Sequence, residues 1–506
     1  MSRLSGALRV LKRWTVLAHL YLGIAFALLF VMWFATGVVL MYAPFPGFRQ
    51  DRQYARMAPL RCAACTRPLA DALPLMTDRD STAVVRLGMR LDRPVIRYRT
   101  TAHRTEAFFA DSLREAAELS PAEARLAAAA YAGLDTGSVR EAALIDEPDQ
   151  WTVEGVLRQE LPLWRVVFGD AARTRVYVCA LGGEGVTTST GRERTLAWLG
   201  AIPHWIYPRV LRARLGAWLW TVIVLGALGT VMSVAGMAVG LWQLRWRRHG
   251  KAPSNRIPYR VAWMRWHHLT GLVFGAVTCT WIFSGTLSVD PFDWSPGNRP
   301  SDAEVVSLQG GPFDAAWFER SPATAVERMG PTVRELRAIV VARRPYWVSV
   351  DSAGTARSMS ATADDTQPPL SDLDLTLAAA TLVPDARVVS VRTMVAYDDY
   401  YRATAERRPS LPVVRVEFDD AEHSVFYLDA NAGMIAMKQV TRSRLERWLY
   451  DGLHDLDFRA LTSRRPLWDI VVILLSLGGL AVSVTGVVTG WRWLAWRLGV
   501  PAGPRR

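Results

Sequence analysis

The chain has 506 residues, with 60 Lys+Arg against 47 Asp+Glu, a net charge of +13 and 21 tryptophans. That length accommodates two or three domains; 21% charged residues are too few for a disordered chain, and a slightly positive mean hydropathy is high for a soluble enzyme. A pI near 9.9 suggests nucleic acid as a first partner, which the placement of the charge then excludes.

Residues 1–14 carry Arg3, Arg9, Lys12 and Arg13 and no acid. Val16 to Tyr42 then runs 27 residues without a charge, more than the roughly 20 needed to cross a bilayer. Its apolar run is about twice the usual signal-peptide core and has no clear cleavage site, which sets it apart from a removable leader. In the segment that follows, Ser120 to Ala132 reads as a helix opened by Ser-Pro, and Leu163–Phe168 and Arg175–Cys179 read as strands around a Gly169-Asp170 turn. Leu215 to Gln243 is a second uncharged stretch and Leu269 to Val289 a third. Beyond it, Ala323–Met329 and Asp372–Leu382 read as helices, and residues 350–370, rich in Ser, Thr, Asp and Pro, as loop. Val413–Phe418 and Ser424–Leu428 form a second strand pair, with Asp419-Asp420 in its turn. Ile470 to Trp491 is the fourth stretch. In hydrocarbon every backbone polar group needs an internal partner, so the four are predicted to be helices.

Charge sets the orientation. The loop 245–265 holds Arg245, Arg247, Arg248, Lys251, Arg256, Arg260 and Arg265, and the tail 491–506 holds Arg492, Arg497, Arg505 and Arg506, again with no acid. With the N-terminal four, fifteen basic residues lie in these three segments, and the remainder of the chain sums to −2. The positive-inside rule places both termini and the middle loop in the cytoplasm, where Trp14, Trp242, Trp246, Trp263, Trp266, Trp491, Trp493 and Trp496 form an aromatic belt. The expected division is a cytoplasmic N-terminus 1–14, span 15–42, outer domain 43–214, span 215–244, cytoplasmic loop 245–265, span 266–289, outer domain 290–469, span 470–491 and tail 492–506.

The two halves repeat. At a shift of 250, Trp198 meets Trp448, His204 meets His454, Arg214 meets Arg464, Trp218 meets Trp468, and Gly229, Ser233, Gly236 and Gly240 meet Gly479, Ser483, Gly486 and Gly490. At a shift of 248, His19 meets His267, Gly23 meets Gly271, Trp33 meets Trp281 and Gly37 meets Gly285. Both halves therefore read helix, outer domain, helix. The fold class expected is a membrane α-helical one: a four-helix transmembrane bundle built by tandem parallel duplication, with two periplasmic α+β domains.

Four of the eight histidines occupy these repeated positions. Ionisable residues in or near a bilayer are costly and are functional candidates by default. Paired imidazoles suit haem iron, and because they leave no open position they suit electron transfer. His19 and Gly23 share a helix face, as do His267 and Gly271; such a glycine leaves room for a flat macrocycle, or else marks close helix packing. His268 points about 100° away from His267, as an alternative ligand or an interfacial side chain. His204 and His454 lie in amphipathic segments (Trp198, Leu199, Ile202, Trp205, Ile206 and Trp448, Leu449, Leu453, Leu456) that run along the outer interface or tuck back between the helices. On this reading two b-type haems follow: His19 with His267 on the cytoplasmic side, and His204 with His454 on the outer side. The alternative for the outer pair is an interfacial histidine with a backbone partner. Arg214 and Arg464 are candidates to pair with haem propionates, or they snorkel. His103, His249 and His423 have no repeated mate and read as surface residues.

Cys62-Ala-Ala-Cys65 has no following His and so is no c-type haem site; in an oxidising compartment it is a candidate disulfide, with a redox role as the alternative. Cys179 and Cys279 read as packing. There is no Gly-rich phosphate loop, Gly-x-Ser-x-Gly or His-Glu-x-x-His. Without a nicotinamide or flavin domain, electrons must arrive from a quinol or another protein.

The segments His19-Leu-Tyr-Leu-Gly23 and His267-His-Leu-Thr-Gly271 open spans one and three. Trp448-Leu-Tyr-Asp-Gly-Leu-His454, Arg465-Pro-Leu-Trp468 and Gly478-Gly-Leu-Ala-Val-Ser-Val-Thr-Gly486 lead into and through span four. With these, nearly the whole chain resembles the PepSY-associated transmembrane helix family of bacterial inner-membrane proteins. The resemblance implies PepSY-like outer domains. Some members resemble dihaem ferric-siderophore reductases, while PepSY domains alone are associated with binding or inhibiting peptidases. The chain departs from the family in having His-Leu-Tyr-Leu-Gly for His-Arg-Trp-x-Gly, and His204-Trp-Ile and His454-Asp-Leu for the usual His-x-Gly.

The expected function is transfer of electrons across the inner membrane through haem b to a periplasmic acceptor, a ferric siderophore or other ferric chelate or a redox protein, with the bilayer as partner and no nucleic acid. The alternative is a haem-free envelope protein whose PepSY-like domains bind a periplasmic protein. A secondary transporter fits less well, since the spans carry almost no ionisable residue near the midplane.

Overall fold

A computed structural model of the chain describes residues 2–76, 79–80, 84–102, 104–244, 257–363, 370–404 and 408–500. The side chain of Arg3, the basic residues at 245–256, Trp246, Arg505, Arg506, His103 and His249 lie outside the described residues. The chain forms two units, a helical one (1–45, 193–295, 445–506) and a sheet one (46–192, 296–444).

Four helices of the first unit are long and apolar enough to cross a membrane: α1 (Ser2–Tyr42), α2 (Leu215–Gln243), α3 (Ala262–Leu287) and α4 (Leu467–Arg497). Helix α1 packs on α2 and α4, and α3 packs on the same two, so α1 and α3 lie across the bundle from each other. Small residues allow this approach. Phe30 and Ile282 lie against Gly229, Phe34 against Gly479 and Phe274 against Gly478, and Phe26, Phe30 and Phe34 form a buried stripe at helical spacing. The hydroxyls inside the bundle are satisfied locally, each bonding the carbonyl one turn back: Thr36 to Met32, Ser233 to Gly229, Ser284 to Thr280 and Thr485 to Ala481.

The amphipathic segments before α2 and α4, which the ranges 43–214 and 290–469 include, group with the helical unit. Their apolar faces are the reason: Ala197, Ala201 and Ile202 are buried, and the short helix Ala201–His204 packs on α1.

The sheet unit is antiparallel. Its first-half strands are β1 (Val85–Arg90), β2 (Arg93–Arg99), β3 (Thr105–Phe109), β4 (Val139–Ile145), β5 (Leu163–Phe168), β6 (Arg175–Cys179) and β7 (Gly185–Ser189). Its second-half strands are β8 (Glu335–Val341), β9 (Arg344–Val350), β10 (Ala356–Ser360), β11 (Val388–Met394), β12 (Val413–Phe418), β13 (Val425–Asp429) and β14 (Met434–Gln439). Two four-stranded sheets repeat, β4-β5-β6-β7 and β11-β12-β13-β14, each with a helix, Pro121–Ala132 and Asp372–Ala379. Ser120 and Ser371 open those helices with capping boxes.

Two separate outer domains are not what forms. Strand β1 pairs with β8, Arg86 opposite Arg337, so one six-stranded sheet, β10-β9-β8-β1-β2-β3, runs through both halves. The region 350–370 also differs from the loop expected of it, because β10 pairs there with β9. A buried ion network crosses between the halves: Glu335 accepts from Arg337 (2.8 Å) and Arg97 (3.3 Å), and Arg97 also pairs with Glu184. Burial alone would push Glu335 up, but the charges of Arg337, Arg86 and Arg97 outweigh it and hold the carboxyl down at about 2.

Candidate functional site: two histidine pairs

The duplication brings the four repeated histidines into two close pairs. His19 on α1 and His267 on α3 have ring centroids 6.1 Å apart, their planes at 26°. His204 and His454, from the segments before α2 and α4, have centroids 6.2 Å apart and planes at 61°. A metal held between two imidazoles by bonds of about 2.0–2.1 Å sets the centroids roughly 6.3 Å apart, once about 1.1 Å of ring on each side is added.

Each ring is fixed through Nδ1. His19 Nδ1 meets the Met232 carbonyl (3.2 Å), His267 that of Val482 (3.1 Å), His204 that of Trp33 (3.1 Å) and His454 that of Trp281 (3.0 Å). Three also meet a hydroxyl at 3.2 Å: Thr485 for His267, Thr36 for His204 and Ser284 for His454. The tautomer follows by accounting. A carbonyl can only accept, and each hydroxyl has spent its proton on the carbonyl one turn back. Nδ1 therefore carries the hydrogen and donates it, and Nε2 keeps its lone pair. No described residue bonds any of the four Nε2 atoms. This is how a metal-ligating histidine is held, with its second nitrogen tied to a backbone carbonyl.

A glycine lies against each ring. A Cβ at Gly236 would stand 2.6 Å from His19 Cε1, at Gly37 3.1 Å from His204, at Gly285 3.0 Å from His454 and at Gly486 3.3 Å from His267. These four repeat pairwise, yet their place beside the histidines was not legible without the helix pairing. Gly23 and Gly271, singled out by spacing, have open space where a Cβ would go.

The other candidates fall elsewhere. His268 is buried beside Tyr259 (centroids 5.4 Å) and joins neither pair. Arg214 and Arg464 are exposed; the arginine that tucks in is Arg212, whose guanidinium lies over Tyr207 (5.1 Å) and Trp218 (4.7 Å). Cys62 and Cys65 form a disulfide buried in the sheet unit. Glu160, Cys179 and Glu184 bring ligand atoms within 4.8 Å of one another. Arg99 and Arg97 already neutralise the two carboxylates, and burial, then the two acids, push the Cys179 thiol up, so the cluster is a compensated ion group.

The two pairs sit far apart along the bundle. On α1, His19 and Thr36 are seventeen residues apart, about 25 Å of helix at 1.5 Å per residue. Comparison of the chain with protein-family models, with curated proteins and with solved structures finds no match.

Proposed function

We propose that this chain is an inner-membrane electron carrier with two b-type haems, one between His19 and His267 and the other between His204 and His454. The observation that carries the reading is the pairing: four Nδ1–H groups tied to carbonyls, and four Nε2 lone pairs left in two sets whose spacing suits one metal each. His19 with His267 and His204 with His454 would hold the two haems, and haem would supply a one-electron iron centre suited to electron transfer.

The chain's own residues do the rest. The Met232, Val482, Trp33 and Trp281 carbonyls orient the imidazoles and raise their basicity. Gly236, Gly486, Gly37 and Gly285 let the rings lie close to their helices, and the open space beside Gly23 and Gly271 is room for a macrocycle. The apolar helices exclude water. The basic termini and middle loop support, by the positive-inside rule, a cytoplasmic side for the helix ends that carry His19 and His267, and the Cys62–Cys65 disulfide supports an oxidising compartment such as the periplasm for the sheet unit. Electrons enter from a quinol or a donor protein and leave to a periplasmic ferric chelate, such as a ferric siderophore, or to a redox protein. The resemblance to the PepSY-associated transmembrane helix family points the same way.

Reduced-minus-oxidised visible spectra of the purified protein test this. Two haem b per chain is the expected result, and a protein without haem after haem-sufficient expression overturns it. That second outcome belongs to the other reading, a haem-free envelope protein with a periplasmic partner. It is favoured by one observation, the sheet-edge strand β11 with Val389, Val391 and, just beyond, Val395 exposed.

A further inference from the structure

The two halves are not equivalent at the outer histidine pair, and the difference is concentrated on one side chain. In the first half, Gly200 lies four residues before His204, and the chain there touches α1 directly: a Cβ at Gly200 would stand 3.0 Å from Val39 Cγ1 and 3.3 Å from the Leu40 amide nitrogen. In the second half Tyr450 takes the place of Gly200, and its ring stacks on His454 at 5.6 Å and 29°. The facing position has changed with it: where the first half has Leu40, the second has Ser288. Ser288 in turn donates to the Gly285 carbonyl (2.7 Å), and Gly285 is the glycine that lies against His454.

The backbone is altered to place this ring. Residues Arg447–Gly452 form a π-helical turn, a local widening found frequently at functional sites. It also leaves a mark on the helix opposite. In the first half Trp33 Nε1 donates to the His204 carbonyl (2.9 Å); its counterpart, Trp281 Nε1, is buried with no partner among the described residues. An unmet buried donor is destabilising, and the first half shows that the fold does not require it.

We infer that Tyr450 is a positioning residue for the outer haem: by stacking on His454, it fixes the plane of one axial ligand and makes the outer site electronically distinct from the inner one. The inference rests on the dihaem reading above. Ligand orientation and the surroundings of an axial ligand are levers on haem electronics, and among the described residues no comparable ring stacks on His204, whose i−4 position is glycine.

The experiment uses purified full-length protein, wild type and the variants Tyr450→Leu, Tyr450→Phe and Ser288→Ala. The readouts are haem content, redox titration and low-temperature electron paramagnetic resonance. Tyr450→Leu should shift the potential and the low-spin signal of one haem component only, with two haems still bound. Tyr450→Phe, which keeps the ring, should restore most of both, and Ser288→Ala should shift the same component in the same direction by less. Loss of that one component in Tyr450→Leu also supports the inference. Unchanged potentials and signals in Tyr450→Leu overturn it, as does an equal shift of both components. If Tyr450→Leu loses both haems, Ser288→Ala decides: a shift confined to one component supports the inference and no shift overturns it. A wild-type protein without haem is the failure of the dihaem reading, a result distinct from all of these.

Discussion

His204 and His454 are 250 positions apart in the chain, yet their ring centroids lie 6.2 Å apart. Neither belongs to one of the four long apolar helices; each is held by the first or third of them, through Trp33, Thr36 and Gly37 or through Trp281, Ser284 and Gly285. The inner pair reverses the arrangement: His19 and His267 sit on those helices and are held by α2 and α4.

The glycines against the rings give a graded test. Gly236→Ala sets a Cβ 2.6 Å from His19, whereas Gly486→Ala sets one 3.3 Å from His267. Overpacking of this kind typically costs about 1–3 kcal/mol. Gly236→Ala is expected to lower inner haem content sharply and Gly486→Ala only slightly, read as haem per chain.

Gly23 and Gly271 test the space instead of the ring. Their Cβ positions are open, so Gly23→Ala and Gly271→Ala should leave the thermal stability of haem-free protein unchanged. If that space receives the macrocycle, both should weaken binding of added haem at the inner site alone.

The inner pair is uneven in its second contacts. His267 has the Thr485 hydroxyl as well as a carbonyl, while His19 has, among the described residues, the Met232 carbonyl alone, Ala235 standing where Thr485 stands in the repeat. Removing such an outer partner commonly costs about 10–100-fold in metal affinity. With the Val482 carbonyl still present, Thr485→Val is expected at the lower end of that range, measured by competition of the inner haem with a haem-binding protein.

The four long apolar helices, the repeat and the two histidine pairs that come close together were legible because each rests on a local signal: uncharged length, or identity at a fixed shift. The helix Pro121–Ala132 and the strands β5, β6, β12 and β13 were legible for the same reason, a Ser-Pro opening or an apolar run broken by an Asp-bearing turn. The six-stranded sheet was not. Its strands carry arginines and a glutamate that look like surface residues, yet Arg90, Arg97, Arg337 and Glu335 are buried; Arg97 pairs with Glu184 and Glu335, both far away in sequence, while Arg337 pairs with Glu335 two positions back on its own strand. Nor could any local pattern show that β1 would pair with β8. Spacing singled out Gly23 and Gly271, but which glycine meets a ring depends on how the helices pair.

That buried network makes the sheet unit acid-sensitive. Glu335, held at about 2 against an ordinary 4.5, contributes stability that is fully present above pH 4.5 and is lost as pH falls toward 2. Glu160 works the other way: burial, then Glu184, raise it, so its contribution is greatest below its ordinary value and declines as pH rises. Glu335→Gln should flatten the acid limb of the stability curve and destabilise at neutral pH by about 3–5 kcal/mol, since it leaves buried guanidinium charge uncompensated. Chemical denaturation of the sheet unit's circular dichroism signal, followed from pH 7 to pH 2, measures both.

The central claim is that each histidine pair holds one haem, and haem per chain in four purified single variants tests it most directly. His19→Ala and His267→Ala should each lose the same haem component and keep the other; His204→Ala and His454→Ala should each lose the remaining one. Equal haem content in wild type and all four variants, or loss of different components within one pair, would contradict the account.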